Sequence, residues 1–393
     1  MRFPEFTKEW EEHALAEYLD FKNGLNPDVK RIGRGLPFIS VMDILADGTI
    51  NYDSIRGKVE ATEREIENFS VEKGDILFQR SSETLEDVGR ANVYMDNRTA
   101  VYGGFVIRGR KIGDYNPLFF KYLLSTPLAR KRTCRMGAGA QHFNIGQDGL
   151  SKISLCFPLM EEQNKIARLL SLIDERIATQ NKIIDKLQSL IKGLRVCCMQ
   201  RNGSNNVYLS EIAQIYQPQT ISSAELTEDG FLVYGANGII GKYKDYNHKT
   251  EQICITCRGN TCGMVNYTKP MSWITISSWC SRWRRMVNYT KPMSWITGNA
   301  MVINTDKYQD KVYKKYLYHY LSAYNFNSII SGSGQPQIVR TPLEKLKITL
   351  PTISEQKQKA MILDKIQDKI EINHNILNLY ILQKQYLLRQ MFI

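Results

Sequence analysis

At 393 residues, 43% hydrophobic, 23% charged and 10% aromatic, the chain has the composition of a folded protein of two or three domains and not of a disordered one. Lys and Arg outnumber Asp and Glu by 52 to 40, a formal net charge of +12, so a polyanion suits it as a partner. No apolar run reaches the length that spans a bilayer. The start, MRFPEFTKEWEEH, has no apolar stretch of a secretory signal, so a cytoplasmic location without disulfides is expected.

In chain order, ILFQRSSETLEDVGRANVY from Ile76 reads as a strand, a loop and a second strand. FKYLLST from Phe120 reads as a helix. It lies inside a basic stretch, Arg108 to Arg135, that holds eight Lys or Arg and one acid, Asp114. RMGAGAQHFN from Arg135 reads as a Gly-x-Gly loop. From Phe157 onward, positions 166, 170, 173, 177, 180, 184, 187, 191 and 194 step by 4 and 3, as in a coiled-coil seam, with Gln180 as its one polar member. YGANGIIG and ICITCRGNTCGMVNY open the second half with strands and a loop. KYLYHYLS from Lys315 is a helix, and SGSGQPQIVR from Ser331 a second Gly-x-Gly loop. A second long helix follows Leu350, with Asn373 at the seam position equivalent to Gln180. About 30–36 helical residues make a rod of roughly 45–55 Å.

The chain repeats itself. Pro158, Glu162, Gln163, Ala167, Ile173 and Ile177 superpose on Pro351, Glu355, Gln356, Ala360, Ile366 and Ile370 at an offset of 193 residues. The expected fold is α+β: two tandem mixed α/β globules alternate with two long helices that pair as an antiparallel coiled coil, with a pseudo-two-fold internal repeat. The segments are 1–156, 157–203, 204–350 and 351–393. An amide pair of Gln180 with Asn373 would fix the register of the coiled coil. MVNYTKPMSWIT occurs twice, at 264–275 and 286–297, which reads as a recent 22-residue duplication or insertion at about 276–297 in the second globule.

Catalytic signatures are missing. The chain has no GxxxxGK[ST], no HExxH, no GxSxG, and no GxGxxG after a strand. Cys254-x-x-Cys257 with Cys262 and Cys280 has the look of a zinc site, but EQICITC alternates like a strand and no second CxxC exists, so no metal is expected. The positive charge sits in the globules, next to loops rich in Gly, Gln, Asn and Arg. Lys and Arg neutralise phosphates, and Gln, Asn and Arg on close-approaching loops suit base-edge reading. Candidates for DNA contact are Gln79, Arg80, Arg130, Lys131, Arg132, Gln141, His142 and Asn144 in the first half. In the second they are Asn237, Arg258, Asn260, Gln335, Gln337 and Arg340.

Two globules alternate with two helices, each introduced by Pro-x-x-x-Glu-Gln. With RFPEFTKEWEEHALAEY, GDILFQRS and YGANGIIGKY, this pattern resembles the specificity (S) subunit of bacterial type I restriction–modification systems over nearly the whole chain. The resemblance implies two target recognition domains that read a split site in double-stranded DNA. It implies helices that space the halves and dock two methyltransferase subunits, and through them restriction subunits. It makes Pro158, Glu162, Gln163, Pro351, Glu355 and Gln356 the expected partner-docking residues. It also implies no cofactor in this chain, with S-adenosylmethionine, ATP and Mg²⁺ in partner subunits. The insertion departs from the family pattern, and that pattern implies a few residues ahead of Met1. A coiled-coil scaffold without DNA is the alternative reading.

Overall fold

The computed structural model describes residues 2–199, 205–235, 238–258, 262, 265–266, 294–332 and 335–392. Asn237, Asn260 and positions 276–293 of the duplicated segment lie outside the described residues. The contacts divide the chain into two units, residues 1–182 with 374–393 and residues 183–373. Each unit therefore holds one globule, part of the helix that leaves it, and part of the other long helix. The long helices run Met160–Met199 and Ile353–Gln390, longer than the heptads predict.

In the first unit a four-stranded antiparallel sheet has the order Leu19–Asn23, Val106–Lys111, Ile76–Gln79, Ala91–Val93. The strand Ile76–Gln79 is buried on both faces, which explains its unbroken apolar run. Ile76 and Phe78 enter the main core, and Leu77 enters a smaller core on the other side of the sheet. That smaller core is covered by a second sheet, in which Ile32–Ile39 runs parallel to Ala100–Tyr102. The short strand Glu11–Ala14 pairs with Ser154–Phe157, just ahead of the long helix.

The second unit repeats this order with Gln214–Tyr216, Ala300–Asn304, Ile253–Thr256 and Val265–Asn266. Its second sheet again holds a parallel pair, Phe231–Gly235 with Trp295–Ile296. Asn205–Tyr208 pairs with Lys347–Leu350, again ahead of a long helix. The alternation in EQICITC is that of a strand. Ile253, Ile255 and Cys257 face the main core of the unit and Cys254 the opposite one, so the two thiols point apart and share no ligand. Among the described residues no group of three His, Cys, Asp or Glu is placed to hold a metal, and no helix is long and apolar enough to cross a membrane.

The heptad positions are buried or half-buried along both helices. Ile166, Leu170, Ile173, Ile184 and Ile191 are buried, as are Leu363, Ile370 and Leu387. Gln180 is 7% exposed, and the Asn373 amide donates to the Lys369 carbonyl of its own helix at 2.6 Å. The end of the second helix is part of the first unit's core: Phe392 stacks on Phe119 at 5.4 Å and meets Trp10 edge-on.

The Pro-x-x-x-Glu-Gln motif does something other than expected. Gln163 is 3% exposed; its Oε1 accepts from the Asn116 N–H at 3.0 Å and its Nε2 donates to the Pro158 carbonyl at 3.0 Å. Gln356 is 1% exposed and repeats the arrangement. Its Oε1 accepts from the Tyr313 N–H at 2.8 Å, and its Nε2 donates to the carbonyls of Pro351 at 2.9 Å and Lys311 at 3.2 Å. Asn116 and Tyr313 are the N-caps of the globule helices Pro117–Ser125 and Lys314–Ala323. Each glutamine thus ties the start of a long helix to the start of a globule helix. Glu162, 1% exposed, is held by Arg2 through two nitrogens at 2.7 and 2.6 Å. Glu355 closes a capping box with Thr352. Pro158 is buried as well. Side chains buried by the chain's own packing offer no surface to another protein. Glu162, Gln163 and Gln356 therefore act as internal clamps.

Replacing Gln356 by Ala strands a buried N–H and two carbonyls, and each stranded group costs about 1–3 kcal/mol. The Gln356→Ala protein is expected to unfold at clearly lower denaturant than Lys357→Ala, its exposed neighbour. Urea titration followed by circular dichroism checks this.

Candidate nucleic-acid interface

The two Gly-x-Gly loops are hairpins of one design. In the first unit Ala138 and Asn144 exchange both backbone hydrogen bonds at 2.9 Å. In the second, Ser331 and Gln337 do the same at 2.9 and 2.8 Å. Gly139 sits at φ +141° and Gly332 at φ +95°, a region that side chains disfavour. A Cβ there would lie 2.0 Å from the His142 carbonyl oxygen in one hairpin and 2.4 Å from the Gln335 carbonyl oxygen in the other. The turn therefore requires glycine at both places.

Each hairpin is fixed at its base in the same way. Ile145 N–H donates to the Arg80 carbonyl at 3.0 Å, and Ile338 N–H to the Cys257 carbonyl at 3.0 Å. Ile145 and Ile338 are buried. The returning strand then lies against the segment that leaves the central sheet, so Asn144 pairs with Ser81 and Gln337 with Arg258. This register makes Asn144 the counterpart of Gln337 and His142 the counterpart of Gln335. Gln141, His142, Asn144, Arg258, Gln335 and Gln337 are all exposed. Asn144 Oδ1 accepts from the Ser81 hydroxyl, and its Nδ2 donates to the His142 carbonyl at 3.3 Å.

Other candidates are used inside the fold. Gln79 is 5% exposed and donates to the Ser81 carbonyl at 2.9 Å, so it braces the hairpin's partner segment and presents nothing outward. Arg80 is half-buried and reaches the Gly104 carbonyl. Arg130 donates to the carbonyls of Glu86 and Val88 at 2.9 and 2.6 Å. Arg132 pairs with Glu12 at 2.7 Å and also holds the Ser154 carbonyl. Arg340 pairs with Glu344 at 2.6 Å on an exposed turn. The rest of the basic stretch behaves alike. Arg108 is buried on the Ser70 carbonyl, and Arg110 pairs with Glu72 and Asp75. Burial draws the Lys121 pKa down to about 8. Lys131 and Arg135 remain exposed beside the first hairpin. The run that reads as a positive face is thus largely a set of braces, with Gln79, Arg130 and Arg132 bonded within the fold.

The type I restriction modification DNA specificity domain matches the chain twice, over residues 7–189 and 202–379. The MjaX type I restriction enzyme specificity subunit of Methanocaldococcus jannaschii is 25% identical over 94% of this chain and 89% of its own length. The EcoKI specificity subunit of Escherichia coli is 26% identical over 42% of this chain and 38% of its own. The crystal structure of the S subunit of a type I restriction–modification system from M. genitalium superposes over 100% of this chain and 99% of its own, with a TM-score of 0.65 at 16% identity. With two matched domains covering nearly its whole length, the chain belongs to the DNA specificity subunits of type I restriction–modification systems.

Proposed function

We propose that this protein is the non-catalytic subunit that reads a split DNA site, one half with each unit, and carries the methyltransferase subunits to it. The observation behind this reading is the pair of superposable hairpins, one per unit. Each puts exposed hydrogen-bonding side chains just beyond a turn that requires glycine, Gly139 in one and Gly332 in the other. Gln and Asn can bond adenine N6 and N7 together, and Arg can bond guanine O6 and N7. Lys131 and Arg135 beside the first hairpin suit phosphates. S-adenosylmethionine, ATP and Mg²⁺ belong to the partner subunits in this reading.

The two long helices form the spacer in this reading, as an antiparallel coiled coil. Contacts within the units support it. In the first unit Asp174 accepts from Lys384 at 2.6 Å. In the second, Arg195 meets Gln367, and the Cys198 carbonyl meets Lys359, each at 3.5 Å. Numbers rise along one helix as they fall along the other. The docking surface for partners then lies not on the buried glutamines but on apolar residues left exposed. Leu159, just ahead of the first helix, is 53% exposed and Leu190 on it 49%, and Met361, Ile362, Leu379 and Tyr386 are 53–61% exposed on the second.

Mapping methylated bases in cells that express the system tests the reading. Two short specific blocks at fixed separation are expected, with binding that weakens steeply as salt rises; a single contiguous block overturns it. Co-purification is expected to yield two methyltransferase subunits per chain, and one per chain at saturation contradicts two docking surfaces.

Gln337→Ala and Gln141→Ala are each expected to relax one base position in one half-site, at a cost of about 1–3 kcal/mol, and to leave the other half intact. Lys131→Ala is expected to weaken all sequences alike. Selection from libraries with one randomised half-site separates the two behaviours. Unchanged base preference with lower affinity would assign the glutamine to loop support.

A further inference from the structure

Six residues beyond each glutamine-pinned N–H, both globule helices present a buried polar group to the long helices. In the first unit it is Tyr122, 3% exposed. Its hydroxyl donates to Asp174 Oδ2 at 2.8 Å, and Lys384 Nζ donates to Asp174 Oδ1 at 2.6 Å. Asp174 stands on the first long helix and Lys384 on the second. In the second unit the equivalent position is His319, 1% exposed. Arg195 Nε on the first long helix lies 3.2 Å from His319 Nδ1, and Asp364 Oδ1 on the second lies 3.0 Å from Nε2. Lys315 pairs with the other Asp364 oxygen at 2.9 Å. Each clamp therefore joins the globule helix, an acid on the helix that leaves that globule, and a base on the other long helix.

The chemistry at the globule corner differs. A guanidinium can only donate, so His319 Nδ1 must accept and the imidazole is neutral, with its one proton on Nε2 toward Asp364. Protonation would set an Nδ1–H and a positive charge against Arg195 while leaving the Asp364 bond in place. Tyr122 has no such change near neutral pH. We propose that the second recognition unit is fastened to its helices by a proton-sensitive clamp centred on His319, and that acid releases the Arg195 corner while the matching clamp at Tyr122 holds.

The groups around the imidazole are Arg195 from the first long helix, Asp364 and Gln367 from the second, and Lys315 and Tyr318 from its own helix. Burial, ahead of the Asp364 bond that opposes it, sets the His319 pKa below the ordinary histidine value. The sign follows. A histidine kept neutral in the fold contributes stability that is present above its unfolded pKa, about 6.5, and that is lost as pH falls from there toward its folded value.

Backbone hydrogen exchange on the full chain at pH 7.5 and pH 5.5, expressed as protection factors, tests the clamp. Residues 314–323 are expected to lose protection about tenfold more than residues 117–125, since pH 5.5 lies a factor of about ten below the unfolded histidine pKa of about 6.5. His319→Gln places an acceptor and a donor on adjacent atoms without a titrating proton, and is expected to retain protection at pH 7.5 and abolish the extra loss at pH 5.5. His248→Gln, at the unit's other buried imidazole (bonded to Tyr216 at 2.7 Å), is expected to leave that loss in place. Equal loss in both helices, or the full loss persisting in His319→Gln, overturns the proposal.

The consequence for DNA rests on the split-site reading. Footprinting at pH 5.5 should then show the second half-site weakening first in the wild type but not in His319→Gln. Absence of half-site protection at both pH values, with the exchange difference intact, would count against the split-site reading and not against the clamp.

Discussion

A single primary amide at the head of each long helix sets the layout of its unit. The first N–H groups of a helix have no partner within it, and a buried one must find a partner elsewhere. At Asn116 and Tyr313 that partner is the Oε1 of Gln163 or Gln356. The same amide returns its own hydrogens to the carbonyl of the proline that opens the motif. The globule helix, the incoming chain and the long helix therefore meet at one side chain that cannot leave without exposing all three. Six residues along the globule helix, the Tyr122 or His319 clamp ties the same helix down again. Two fastenings on one helix fix its direction as well as its position, and the central sheet packs on that helix through Phe119, Phe120 and Tyr122 in one unit and Tyr316, Leu317 and Tyr320 in the other. The hairpins lie against the segments that leave the same sheet.

The sequence exposes this layout to the extent that burial leaves a periodic trace. The 193-residue repeat, the heptads and the apolar strands ILFQ and ICIT are patterns of side-chain burial, and burial is what the fold preserves. The polar groups were harder to place. Glu-Gln in the first turn of a helix reads as a solvated pair, because the N–H groups that Gln163 and Gln356 satisfy lie more than forty residues upstream. Arg108, Arg110, Arg130 and Arg132 read as a positive face for the same reason: their acceptors are carbonyls and carboxylates supplied by segments distant in sequence. The hairpins were legible as glycine-rich loops, but Gly137 and Gly139 are equally visible in the letters. Only the backbone shows that Gly139, at positive φ, is the counterpart of Gly332.

The comparison of the two halves separates what grips from what discriminates. In the split-site reading, two domains that read different sequences would share only what does not depend on the sequence read. They share the glycine turn, the paired hydrogen bonds at 138/144 and 331/337, the buried isoleucine at the hairpin base, and the amide clamp. These set where a backbone lies and are indifferent to the base opposite. They do not share the side chains that the hairpin carries. Asn144 with Ser81 stands in one unit where Gln337 with Arg258 stands in the other, and His142 stands where Gln335 does. In that reading, a fixed frame with exchangeable tips would let a target change by substitution at a few exposed positions, without disturbing any buried bond. The same reading assigns the braces Gln79, Arg130 and Arg132 to the frame: each is bonded to backbone carbonyls, so changing it would disturb the fold rather than a base preference.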